Sequence, residues 1–439
     1  MSSQLSVGVG RGDITPEIGA ILQGYAPGRP ATSIHDHLHF TAFAFEQDGV
    51  RAIVATAELC QIGEPMMGKI RHAMEESSGV PYDNIIVSST HTHSGPVSWH
   101  TPGNYPVDYD YLYNKLVPET AKAAADAVSS LRPAVMGVGV TQSDVGVNRR
   151  ELTLDGKIIL GQDPEGSYDP TMTVVSFREP DGKPIGNMIH YGAHNTGSGK
   201  NPEITRDWSG VMIDRLEAES GGVTAFFNGC EGDCGPRLAN GKTTGNLQLA
   251  LELGGRAAID AVRAWRSIRE WRPGCGLRVS TDRVDVFRKP LPTLEESEAR
   301  LKELGDPEKL KGTGLRESEY KTVLERIRAV KENIEIPDSL EIAQTIVSVG
   351  PVAFLPIPFE TFSGITLRIS RHSPFAHTLS LSNGNGANGY FPTQDQLCRG
   401  GYEVWMFSSM RPRPFRDDSD QHYVTESVKL LQKLFEADK

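Results

Sequence analysis

The chain has 439 residues, of which 38% are hydrophobic and 23% charged, and a net charge of −11. That length holds one large core or two domains, and the composition is that of a folded enzyme, not of a disordered or fibrous chain. The acidic excess excludes nucleic acid or an anionic membrane as the main partner, because both select a basic face.

A small-molecule substrate is therefore the expected partner, with a homo-oligomer allowed. Met1 to Val7 carry neither a basic n-region nor an apolar h-region, and no apolar run approaches the roughly 20 residues that span a bilayer. Cys60, Cys230, Cys234, Cys275 and Cys398 are scattered and odd in number, which reads as reduced thiols in a cytoplasmic protein. Cys230 and Cys234 are four apart with no second pair nearby, so they read as structural thiols.

In chain order, Leu38 to Phe45 and Arg51 to Ala57 alternate in polarity around Gln47-Asp48-Gly49, predicting a β-hairpin. Glu64 to Glu76 places Met67, Ile70 and Met74 on one helical face. Asn84 to Ser89 is a short buried strand running into Thr90 to Pro96, and Tyr109 to Leu131 and Asn246 to Ile268 are long amphipathic helices. This rhythm predicts a mixed α/β (α+β) fold of layered sheets flanked by helices. Between 291 and 337 the composition turns to Glu, Lys, Arg and Leu, predicting a helical hairpin over Leu294 to Ile334 interrupted at Gly305-Asp306-Pro307. A lid, a subunit contact and a surface decoration all fit that hairpin. Strand patterning returns in Glu341 to Leu355, so 1–439 reads as a single domain with the charged insertion inside it.

Chemistry-bearing residues gather at segment ends beside glycine and proline. His91 and His93 are two apart, which on extended backbone points both rings to one side. His190 and His194 follow the apolar stretch Ile185 to Ile189, with small residues before His194, and His190 at the strand-like end reads as a satisfied core histidine or a partner behind the site. Asp207 opens a helix, where a plain N-cap is the competing explanation. Glu360 follows Pro356-Ile357-Pro358 and equally suits metal ligation or decoration of a helix start. The Gly- and Asn-rich loop from Asn383 to Gly389 presents Tyr390.

These segments, in this order, resemble the catalytic domain of the neutral (alkaline, non-lysosomal) ceramidase family. Thr90-His91-Thr92-His93-Ser94-Gly95-Pro96 is the most specific stretch. It is joined by Val7 to Pro16, Gly24-Tyr25, Val147-Asn148-Arg149, Gly232-Asp233, Pro358-Phe359-Glu360-Thr361 and Gly389-Tyr390. The resemblance implies one zinc ion per chain held by His91, His194, Glu360 and Tyr390, with His93 and Arg149 lining the substrate site. It also implies hydrolysis of an amide. Such a nitrogen and oxygen donor set suits zinc and admits iron, manganese or nickel. Zinc lowers the pKa of a bound water from 15.7 to roughly 7. Arg149 or His93 would then steady the oxyanion, and His93 or Asp207 would carry the proton to the leaving nitrogen. A free phenol ionises near pH 10, so Tyr390 is predicted to bind weakly or to leave the metal during turnover.

Three departures turn the expectation away from ceramide. The family's Gly-Asp-x-Ser-Pro reads Gly232-Asp233-Cys234-Gly235-Pro236 here, which raises Cys234 as a stand-in nucleophile. No immunoglobulin-like domain follows the final helix, Thr425 to Leu434, and no export signal is read at the start. The expectation is a zinc-dependent hydrolase of a small soluble amide, N-acyl or cyclic, with Arg149 grasping a substrate carboxylate. A lactonase or esterase, a metal-dependent lyase and a binding protein on the same scaffold are the alternatives.

Overall fold

The computed structural model describes residues 4–25, 28–99, 106–273, 276–311 and 313–437. Cys275 and the first three residues of the N-terminal reading lie outside them. The chain folds into three main sheets of five, five and four strands. In strand order, the first holds Ile85–Ser89, Val50–Ala57, His39–Gln47, Ser6–Asp13 and Arg132–Pro133. The second holds Val223–Asn228, Pro184–Tyr191, Thr171–Arg178, Val135–Gln142 and Arg272–Pro273. Leu277–Phe287, Ser339–Val349, Val352–Ile357 and His377–Ser382 form the third.

Strand alternation explains how these sheets stack. Phe43, Phe45, Ala52 and Val54 of the first sheet face Val175, Phe177 and Met188 of the second and Val352, Phe354 and Leu379 of the third. Their neighbours one residue along turn outward, each sheet under its own helices. Phe40, Ala42 and Ile53 meet the helices Met66–Ser78 and Val117–Ser129. Met172, Val174 and Ile189 meet Asp207–Ser220 and Leu247–Arg266. Ala353, Leu355 and Ile357 meet Ser363–His372, Tyr402–Ser409 and Ser419–Glu436. Each buried aromatic in the shared core contributes roughly 1.5–3 kcal/mol by burial. Phe43 touches rings on the second sheet, Phe177 and Phe227, at 6.3 and 6.2 Å, and Phe45 reaches Phe354 on the third at 6.5 Å.

The predicted hairpin pairs Gln47 with Val50 across Asp48-Gly49, whose positive φ angles of 50° and 81° match the sheet's twist. Gly8 and Gly10 let their strand lie against a helix, since an added Cβ would fall 2.0 and 2.1 Å from the carbonyl oxygens of Ala127 and Ala123. The expected continuous helix from Tyr109 widens into a π turn over Leu112–Leu116 before Val117–Ser129. Pro118 supplies the reason, having no N–H to return to the preceding turn. The hairpin insertion is present as Leu294–Leu304, Pro307–Leu310 and Leu315–Lys331, opened by a Thr293/Glu296 capping box. Leu304, Leu310, Val323 and Ile327 give it a small core of its own. Among the described residues, no helix is long and apolar enough to cross a membrane.

Every main sheet contains one parallel pair at an edge. These are Val50–Ala57 with Ile85–Ser89, Pro184–Tyr191 with Val223–Asn228, and Val352–Ile357 with His377–Ser382. The segments leaving the C-terminal ends of these strands meet at one place, the position where open α/β sheets characteristically bind ligands.

Candidate metal centre

His91 leaves the first sheet just after Ser89, yet its backbone is left-handed, with φ 66°, and not extended as its spacing predicts. The rings of His91 and His93 still meet, Nε2 to Nε2 at 3.3 Å, because the tight turn does what the strand was expected to do. Such a conformation costs a non-glycine residue about 1–3 kcal/mol and persists only where the surroundings over-determine it. Here they do. The His91 amide donates to the Leu59 carbonyl at 2.9 Å, and the side-chain amides of Asn195 and Asn228 both donate to the Thr90 carbonyl, at 2.6 and 3.0 Å.

The Nδ1 of His91 lies 2.8 Å from the Cys60 carbonyl oxygen, and the Nδ1 of His194 lies 2.6 Å from that of Glu231. A carbonyl only accepts, so each ring carries its proton on Nδ1 and turns a bare Nε2 lone pair inward. Burial, foremost, pushes both ionisations below the usual histidine value and keeps the rings neutral.

Glu360 is not a helix-start decoration. The next helix begins three residues later at Ser363, and Glu360 instead forms a two-residue parallel ladder with Tyr390-Phe391. That ladder aims the carboxylate at the two lone pairs: Oε2 stands 3.6 Å from His91 Nε2 and 3.3 Å from His194 Nε2. It is buried and has no hydrogen-bond partner. The Tyr390 hydroxyl is 3.4 Å from the same His194 nitrogen. Lone pairs converging in a dry interior with no proton between them repel one another, whereas a cation at their centre satisfies all of them. His91, His194 and Glu360 thus fit a divalent metal, with Tyr390 beside them. Cys60 also lies within ligand range of His91 and His93. Its thiol faces the opposite nitrogen of His91, Nδ1, at 3.9 Å, and burial raises its pKa well above the ordinary value.

His93 is half-buried and packs edge-on against Tyr25 at 5.1 Å. Gly24 makes room for it, since a Cβ there would come 2.2 Å from the ring. Arg149 does not offer the free fork that carboxylate recognition requires. Its Nε donates to Glu403 at 2.8 Å and its Nη2 to the Tyr390 hydroxyl at 2.9 Å. Burial opposes its charge, but Tyr390 and Glu403 outweigh that and lift its pKa, so a fixed cation stands beside the phenol.

Asp207 stands apart from the converging atoms. It is the first residue of its helix, not the cap, with φ 59°. Its carboxylate accepts the amides of Gly197, Ser198 and Trp208 at 3.0, 2.7 and 2.7 Å. That use binds the loop leaving His194 and leaves little capacity for proton transfer. His190 Nε2 bonds the Ser380 carbonyl, 2.9 Å away, as a core histidine. Since a carbonyl only accepts, it donates. Cys234 is buried with a raised thiol pKa, so it is held as a neutral thiol. A side chain at Gly235 would meet Thr243, whose Cγ2 lies 2.5 Å from the Cβ position. The space beside Gly235 is filled by a threonine from another segment.

Three further contributors join these residues, of which Glu231 and Glu403 carried no sequence signal and Asn383 was legible only as part of its loop. Glu231 is fully buried, accepts a 2.8 Å hydrogen bond from Asn383, and is driven towards its neutral form by burial and by Glu360. Asn383 sits inside the glycine-rich loop in a left-handed conformation, and Glu403 bridges Arg149 and Arg150 from a distant helix.

Residues 5–248 match the family described as neutral/alkaline non-lysosomal ceramidase, N-terminal. Neutral ceramidase A of Dictyostelium discoideum is 26% identical over 263 residues, which cover 53% of this chain and 36% of that protein. For the neutral ceramidase of Pseudomonas aeruginosa the identity is 27% over 248 residues, covering 53% and 37%. The matched region thus spans little more than a third of the length of those curated relatives. The crystal structure of the P. aeruginosa protein superposes with a TM-score of 0.72 at 21% identity, over 98% of this chain and 75% of that one. That likeness establishes the fold: mixed α/β, with layered sheets flanked by helices.

Proposed function

Because this chain belongs to the neutral/alkaline non-lysosomal ceramidase family, we propose that it is a metal-dependent hydrolase cutting the amide carbon–nitrogen bond of a small soluble substrate. The observation that carries this reading is the convergence of two bare Nε2 lone pairs and the orphaned Glu360 oxygen at one buried point.

Zinc bound there would supply Lewis-acid polarisation and an acidified water. The chain's own residues do the rest. His91, His194 and Glu360 hold the ion, oriented by the Cys60 and Glu231 carbonyls on the far side of each ring. The Arg149 cation and the Tyr390 hydroxyl it contacts form a fixed dipole pair beside this point, where they stabilise negative charge developing on a carbonyl oxygen. His93, with Nε2 toward the centre and a buried, unpartnered Nδ1, is the group placed to pass a proton to the leaving nitrogen. Asp207 keeps the His194 loop in place. With the Arg149 fork engaged by Glu403 and Tyr390, a substrate carboxylate is not required, and polar uncharged amides come within range.

The test is a panel of paired amides and esters of matched acyl group, run with the metal-loaded protein in oxygen-18 water. Label in the released acid and turnover of amides support the reading. Ester turnover alone would make it an esterase or lactonase, and product without label would make it a lyase.

A further inference from the structure

The charged hairpin between Leu294 and Lys331 is bonded to the body and does not stand free of it. Two of its buried side chains reach into the segments that carry the centre's outer half. Glu319, held by Arg300 at 2.6 Å, accepts the indole N–H of Trp405 at 3.1 Å. Trp405 lies on the helix Tyr402–Ser409, two residues after Glu403, whose carboxylate grips Arg149 at 2.8 Å and Arg150 at 2.7 Å. Arg326 donates to the Pro412 carbonyl at 2.6 Å and to the Arg411 carbonyl at 3.3 Å. Arg411 in turn donates to the carbonyls of Phe407 and Asn388, and Asn388 is two residues before Tyr390.

We propose that the hairpin is a buttress whose Glu319 and Arg326 position Arg149 and Tyr390, through Trp405 and Arg411 respectively. Both routes end on the same contact, the 2.9 Å hydrogen bond from Arg149 to the Tyr390 hydroxyl. Neither route passes through the Cys60 and Glu231 carbonyls that orient the His91 and His194 rings. The hairpin therefore tunes the phenol and the cation while leaving the histidine pair in place. This distinguishes it from a lid, which would act on substrate entry, and from a subunit contact, which would act on assembly.

The test uses full-length Arg326→Met, Arg326→Lys, Trp405→Phe and, on the exposed hairpin face, Arg328→Ala. Amide hydrogen exchange is read at Asn385 and Asn388, whose N–H groups bond the Val87 and Pro358 carbonyls. Arg326→Met and Trp405→Phe should raise exchange there by about tenfold, as expected when a local opening loses one charge-assisted hydrogen bond. Arg326→Lys should recover part of that protection, and Arg328→Ala should change nothing. The visible absorption of the cobalt-loaded protein should shift in the same order, because Tyr390 has moved relative to the ion. The cobalt arm alone rests on the metal-centre reading. A wild type that takes up no cobalt would overturn that reading, and the exchange arm would still decide this one. Faster exchange confined to the hairpin's own amides, with no change at Asn385 and Asn388, would overturn the buttress.

Discussion

Glu360 and Asp207 are buried carboxylates of the same fold, 7% and 1% exposed, and they have opposite standing. Asp207 has three amide donors on it and closes a loop. Glu360 faces two imidazole lone pairs with an oxygen that nothing satisfies. Burial alone therefore says little about a carboxylate's role. A native interior pairs its polar groups, so an unpaired oxygen aimed at other lone pairs fits a cation-binding position, whereas a fully paired carboxylate marks structure.

That contrast can be broken most forcefully at Glu360. Glu360→Gln should lower metal affinity by more than about a hundredfold, the upper range for loss of a mere outer partner, while the fold survives. Titration with a competing chelator measures this, and unchanged affinity would remove Glu360 from the ligand set. Asp207→Ala should do the converse. It leaves three buried amides without an acceptor and should destabilise by roughly 2–5 kcal/mol in urea unfolding, with metal retained in the folded fraction. A smaller effect awaits Gly235→Ser, which drives a side chain into Thr243 and should cost about 1–3 kcal/mol, partly recovered with Thr243→Gly. Equal destabilisation in the double variant would show that the space beside Gly235 is not filled by Thr243. The smallest effect is on pH dependence. Burial, then His91 and His194, push the His93 pKa well below its ordinary 6.5. A depressed pKa keeps the neutral, proton-accepting form as pH falls, so the acid limb of kcat/KM should lie below pH 6.5 and not at it.

Much of the fold was legible because the relevant signals are local. Asp48-Gly49 between alternating strands and the Met67, Ile70 and Met74 stripe each act within a few residues. The π turn at Leu112 was missed although Pro118 was in view, since proline reads as a break or a helix start and not as a widened turn. At the centre, motif likeness indicated His91, His194, Glu360 and Tyr390, and the chain does bring them together. Spacing alone did not, because His91 is left-handed and the strand geometry behind its pairing with His93 does not hold. Glu231 and Glu403 have no periodicity or motif to announce them. Their roles exist only once Asn383 and Arg149 arrive from 152 and 254 residues away. The reading of Arg149 as a free carboxylate clamp failed for the same reason, since its partner Glu403 is invisible until the chain is folded.

The most direct measurement is metal content by mass spectrometry on the purified wild type beside Glu360→Gln and Asp207→Ala. The account predicts near one equivalent of a divalent transition metal in the wild type and in folded Asp207→Ala, and loss of it in Glu360→Gln. Full retention in Glu360→Gln, or a wild type that takes up no metal when it is supplied, would contradict it.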